Sequence, residues 1–218
     1  MITETSLELS KTRGIVYQWI SNMILLEPNE QNFQFLVSNK IIDAIKKMVE
    51  YTVYGDNLIQ AIVDWRCEPG FKEKMIEDFN ELFCIPGPKY IYPFESCYRE
   101  RLVDDSIGKI YGCTTLEVSQ IYKVLSIRFN KKEIPDHLGI ELLFMSELCY
   151  LEGANSENNQ KVDAQKLFEW QKGFLNDHLF KWGFEVLKNM EEKAETDFYR
   201  SIAQMSIDFL EEERSIFI

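Results

Sequence analysis

Two histidines, five cysteines and the carboxylates are the groups in this 218-residue chain that could do chemistry. His137 and Glu141 are one helical turn apart, close enough to share a metal ion or act as an acid–base pair. A metal centre needs three or four ligands in matching geometry. The one other imidazole is His178, so no metal is expected. A Cys97–His137 nucleophile and base is a second arrangement to weigh; cysteines buried as small apolar side chains are the plainer account. The chain contains no G-x-x-x-x-G-K-[ST], no G-x-G-x-x-G and no H-E-x-x-H. Gly87 lies between Pro86 and Pro88, which lack the N–H groups that cradle phosphate. No catalytic residue and no cofactor are therefore assigned. An all-helical hydrolase or metal-dependent enzyme using His137 stays open as the alternative, as does a helical scaffold without a peptide groove.

The elements that must position these groups read as helices. Pro135 ends the preceding segment, and Asp136 is placed to cap a new helix. Leu138, Leu142, Met145 and Cys149 recur on it at helical spacing. His137 falls in the first turn, where the helix dipole disfavours imidazolium. Thr5-x-x-Glu8 and Thr114-x-x-Glu117 have the pattern of capping boxes. The first opens a helix with Val16, Trp19, Ile20, Met23 and Leu26 in its stripe, stopped by Pro28. A short helix from Glu30 to Val37 follows. Ile41, Ile45, Met48 and Val49 mark the next, and Leu58, Ile59, Ile62 and Val63 another.

Phe71, Met75, Phe79, Leu82 and Phe83 form a further stripe, followed by Cys84 to Phe94, where three prolines and a glycine exclude a helix. The three aromatics of that loop call for packing, as a staple between helices or as a binding lid. A short helix is expected from about Ser96 to Leu102. The C-terminal apolar positions predict two helices divided near His178–Phe180 and a last one capped by Thr196. All four tryptophans, Trp19, Trp65, Trp170 and Trp182, are expected in the core. No alternating strand pattern occurs, so the chain reads as all-α, one globular multi-helix bundle forming a single domain over 1–218. Polar residues 153–160 are the expected hinge, with room there for a division into two subdomains or for exchange of C-terminal helices in a domain-swapped dimer.

Apolar residues make up 45%, enough for a core, and the formal net charge of -12 disfavours binding to nucleic-acid phosphates while attracting basic peptides. Cys67, Cys84, Cys97, Cys113 and Cys149 are odd in number and lack a C-x-x-C pair, which leaves disulfides and zinc ribbons without support. The first residues show no basic segment leading into an apolar run, and no stretch approaches a membrane span. A cytoplasmic location is expected.

Pro135-Asp136-His137-Leu138 followed by Glu141-Leu142-x-Phe144-Met145-x-x-Leu148 resembles the signature of the TorD-type (TorD/DmsD/NarJ-like) chaperones. Leu82-Phe83 with Pro93-Phe94-Glu95-Ser96-Cys97-Tyr98 is similar to a second segment of that family, with two mild substitutions. Phe174, His178-Leu179, Trp182, Glu192-Lys193-Ala194-Glu195 and Phe198-Tyr199-Arg200 resemble its ending. The likeness spans roughly residues 79–210. It implies an all-helical, non-enzymatic cytoplasmic protein that binds the twin-arginine signal peptide or the apo-form of a molybdopterin oxidoreductase precursor. The partner would be held until its cofactor is inserted and export follows. Carried over by position, the peptide-binding residues are Asp136 and His137 with Pro93, Phe94, Glu95, Ser96 and Tyr98. Arginine recognition calls for carboxylates and a groove. Asp136, Glu95 and Glu141 are the candidate carboxylates, and Tyr90, Tyr92, Phe94, Leu138 and Met145 the candidate groove.

Overall fold

The computed structural model describes residues 4–36, 38, 60–61, 70–104, 106–130, 132–157 and 161–218. The stripes expected at Ile41–Val49 and Leu58–Val63, together with Trp65 and Cys67, lie outside the described residues. Every regular element that is described is helical: α1 (Glu4–Leu25), α2 (Glu30–Leu36), α3 (Phe71–Phe79), α4 (Glu95–Arg99), α5 (Cys113–Val124), α6 (Leu138–Glu157), α7 (Lys161–Phe174), α8 (Phe180–Lys193) and α9 (Asp197–Phe217). Two π-helical turns, Asn80–Cys84 and Leu175–Leu179, continue α3 and α7. The break expected near His178–Phe180 is thus a widened turn, not an interruption.

The chain divides into two compact units. One comprises Met1–Ser21, Pro93–Gly183 and Phe217–Ile218, the other Asn22–Tyr92 and Phe184–Ile216. The division does not fall at residues 153–160: α6 runs on to Glu157 inside the first unit.

In the first unit α6 is apolar on more than one face, as a helix enclosed by others must be. Leu138, Leu142, Met145 and Cys149 are all buried, and so are Ile140, Phe144 and Leu148. Gly14 lets α1 lie close to α6, because a Cβ there would stand 3.2 Å from the Tyr150 ring and 3.3 Å from Cys149 Cβ. Ser146 Oγ donates to the Gly14 carbonyl at 2.8 Å and Ser21 Oγ to the Gly139 carbonyl at 2.6 Å. Arg13 is buried on α1 yet fully used: it donates to Gln171 Oε1 at 2.9 Å and lies over the Phe217 ring.

The Thr114 capping box does not form. The cap of α5 is Glu100, whose carboxylate accepts from Cys113 N at 3.1 Å, Thr114 N at 2.8 Å and Thr114 Oγ1. Burial works to raise the Glu100 pKa, but these hydrogen bonds outweigh it and the carboxyl titrates below its usual range. A side chain at Gly108 would strike the Glu100 backbone, and one at Gly112 its carboxylate.

In the second unit Asn29 caps α2 through Asn32 N at 3.0 Å. Thr196 caps α9 as expected, accepting from Tyr199 N at 3.4 Å. Buried Asp78 reinforces that start by accepting from Glu195 N, Thr196 N and Thr196 Oγ1. Phe33 and Phe79 pack on Phe198 and Tyr199 of α9. The loop from Cys84 is stapled by Ile91 N to the Leu82 carbonyl at 2.8 Å, by Lys193 Nζ to the Tyr90 carbonyl at 3.1 Å, and by Lys89 between Glu81 and Glu195. Trp19 and Trp182 are core residues, whereas Trp170 is exposed because it lies on the solvent side of α7.

Candidate functional site

Two segments far apart in sequence meet at the start of α6. Leu138 N donates to the Pro93 carbonyl at 2.8 Å, and Glu95 N to the Asp136 carbonyl at 2.9 Å, making an isolated antiparallel bridge between Phe94 and His137. The Phe94 and His137 rings meet edge to face at 5.2 Å. The segment Pro93–Tyr98 therefore lies directly against the Asp136–His137 end of α6.

The caps at this junction are exchanged relative to expectation. Asp136 does not cap α6. Its Oδ2 accepts from Ser96 N at 2.9 Å and so caps α4 from across the junction, while its buried Oδ1 accepts no hydrogen bond. The cap of α6 is His137, whose Nδ1 accepts from Gly139 N at 3.1 Å. Accepting at Nδ1 requires a neutral ring protonated at Nε2, and burial lowers the His137 pKa to about 4. The folded ring thus binds fewer protons than an unfolded histidine. His137 contributes its full stabilisation above about pH 6.5, and that contribution is lost as pH falls toward 4. An NMR titration is expected to put the His137 midpoint near 4; a midpoint above 6 would contradict the cap.

Behind the junction sits a buried carboxyl pair. Glu95 is fully buried on α4; His178 Nδ1 donates to its two oxygens at 3.1 and 2.9 Å, and Arg99 Nη1 donates to Oε1 at 2.7 Å. His178 is presented by the π-helical turn and stacks on Phe174 at 5.0 Å. Glu141, also fully buried, accepts from Trp182 Nε1 at 3.1 Å. Burial first, and then the charge of Glu95, push the Glu141 pKa well above the ordinary carboxyl range. Burial thus favours the neutral acid at Glu141, whose buried Oε1 accepts no hydrogen bond.

This proton has a consequence for stability. Above the ordinary glutamate range the unfolded chain has released a proton that the folded state keeps, so rising pH favours unfolding by up to about 1.4 kcal/mol per pH unit. Glu141→Gln, which supplies a permanent donor of the same shape, is expected to flatten that dependence in urea titrations at pH 5 and pH 8. A variant with the wild-type slope would exclude Glu141 as its source.

The structure thus brings Pro93, Phe94, Glu95, Ser96, Asp136, His137 and Glu141 together, with Tyr98 joined through its 5.7 Å ring contact to Trp182. His137 is only partly covered; Pro93 to Tyr98, Asp136 and Glu141 are all buried. Leu138 and Met145 are core residues, not groove walls, because their side of α6 faces other helices. Tyr90 and Tyr92 belong to the second unit, paired edge to face at 4.9 Å. Sequence reasoning missed Arg99 and Trp182 as site residues, and considered His178 only as a ligand. The i,i+4 spacing of Glu95 and Arg99 was the available signal. The alternative Cys97–His137 nucleophile is unsuited: Cys97 is buried, and burial, then the charges of Asp136 and Glu100, raise its thiol pKa to about 11. Among the described residues no three His, Cys, Asp or Glu side chains are grouped to hold a metal.

Fold and site together define an all-helical protein whose described titratable cluster is engaged in helix capping and buried hydrogen bonds. The family model described as nitrate reductase delta subunit matches residues 48–188, and the chain belongs to this family of TorD-type proteins. It is similar to the chaperone protein TorD of Vibrio parahaemolyticus serotype O3:K6, 24% identical over 211 residues covering 92% of either chain. It is also similar to the chaperone protein TorD of Vibrio cholerae serotype O1 (El Tor), 22% identical over 219 residues, 94% of this chain and 92% of the relative. The chain therefore stands among chaperones, not enzymes. No helix among the described residues is long and apolar enough to cross a membrane.

Proposed function

We propose that this protein is a cytoplasmic maturation chaperone for a molybdopterin-dependent oxidoreductase. It binds the twin-arginine signal peptide, or another part of the apo-enzyme, and holds it until cofactor insertion and export. The observation that carries the reading is the junction itself: Pro93–Tyr98 and Asp136–His137 are bonded into one edge with the carboxyl groups of Glu95 and Glu141 buried behind it. Peptide contact is assigned to that edge, with Asp136, His137, Pro93, Phe94, Glu95, Ser96, Tyr98 and Glu141 as its residues. Those that are buried act by holding the edge in shape. The net charge of -12 favours approach of a basic peptide. The protein works as a monomer or as a domain-swapped dimer, states that light scattering across concentrations separates.

Capture from the native cytoplasm is expected to retrieve a molybdoenzyme precursor. In calorimetry with the client's signal peptide, Asp136→Ala is expected to weaken binding by at least tenfold while stability falls by the ~1 kcal/mol of a lost cap. Unchanged affinity with the fold kept would remove Asp136 from the site.

A further inference from the structure

Glu95 is fully buried, yet a guanidinium reaches it from the surface. Arg99 Nη1 donates to Glu95 Oε1 at 2.7 Å and to the Asp177 carbonyl at 2.9 Å, while 34% of the Arg99 side chain remains exposed. Two acceptors, one from α4 and one from the π-helical turn, thus form a seat for one guanidinium nitrogen. Arg99 occupies that seat from the last turn of a five-residue helix, where little backbone structure holds its side chain in place. His178 Nδ1 shares Oε1 with Arg99 at 3.1 Å and also meets Oε2 at 2.9 Å, so Glu95 keeps a buried partner while the occupant of the seat changes.

We propose that Arg99 is a resident substitute for a client arginine, and that a peptide guanidinium reaches Glu95 and the Asp177 carbonyl by displacing it. This rests on the peptide-binding reading above. Exchanging one guanidinium for another keeps the buried carboxylate paired throughout, and the released Arg99, already one-third exposed, is rehydrated at the surface. A lysine ammonium, more strongly hydrated and without the planar fork, recovers less of the pairing. Arg99 therefore sets the affinity, and the seat itself sets the preference for arginine over lysine.

The test is calorimetry of wild type and Arg99→Gln with a twin-arginine signal peptide and its lysine–lysine counterpart, with side-chain NMR of Arg99 in the wild type. Arg99→Gln is expected to bind the arginine peptide about tenfold tighter, with a comparable gain for the lysine peptide and the preference for arginine kept. In the wild type the arginine peptide is expected to move the Arg99 Nε–H signal to that of a solvent-exposed arginine. Peptide binding with that signal unmoved, or with equal or weaker affinity in the variant, overturns the proposal alone. Failure of the wild type to bind any client peptide overturns both the proposal and the reading beneath it. If Arg99→Gln does not fold, the wild-type NMR arm decides.

Discussion

Glu95→Ala is expected to lower the free energy of unfolding by about 3–5 kcal/mol in urea titrations at neutral pH, the usual loss when one member of a buried ionic group is removed. The loss does not come mainly from Arg99, whose side chain is 34% exposed and can turn to water. It comes from His178, with 7% of its side chain accessible, whose Nδ1 would lose both of its carboxylate contacts in the interior. Glu95→Gln keeps the volume and one acceptor oxygen and should cost clearly less. An alanine variant within 1 kcal/mol of wild type would mean that the cluster rearranges freely, and the edge built on it would lose its foundation.

Trp182→Ala is expected to destabilise by about 3–5 kcal/mol. Its ring is 1% exposed and packs against Tyr98, which follows the Pro93–Ser96 edge. Removing it leaves a cavity and takes from Glu141 the donor at Oε2. Trp182→Phe separates the two losses, since it keeps most of the ring and deletes only the N–H; leaving that buried acceptor unpaired costs about 1–3 kcal/mol. A phenylalanine variant as unstable as the alanine variant would place the whole effect in the hydrogen bond.

Among the described residues helical character was legible wherever apolar spacing was regular. The Leu138–Cys149 stripe, Val16, Trp19, Ile20 and Met23 of α1 and the Phe198–Leu210 face are buried as their periods require, whereas Leu26, just past the end of α1, is half-buried. The cap of α9 at Thr196 was legible for the same reason: a hydroxyl three residues before a free N–H is a local fact. The candidate site was legible as a set of positions through its family pattern, Pro93–Tyr98 with Asp136–His137, and these segments do adjoin.

Their roles were not legible. Asp136 and Thr114 both stand where a local cap would stand, yet Asp136 caps α4 and Thr114 is served by Glu100. A capping oxygen needs only to be near free N–H groups, and a side chain forty residues away satisfies that as well as a neighbour. Glu95 and Glu141 looked like carboxylates offered to a partner. Whether such a group is exposed and charged, or buried and protonated, depends on what other helices bring to it, here His178, Arg99 and Trp182.

The amino-acid order by itself determined the helices, their buried faces and the family, since these depend on the spacing of side chains along one chain. Only the tertiary structure decided which side chain caps which helix, that burial favours the neutral form of Glu141, and that Arg99 pairs with Glu95. Hydrogen bonding and desolvation act through space, over distances that sequence separation does not encode.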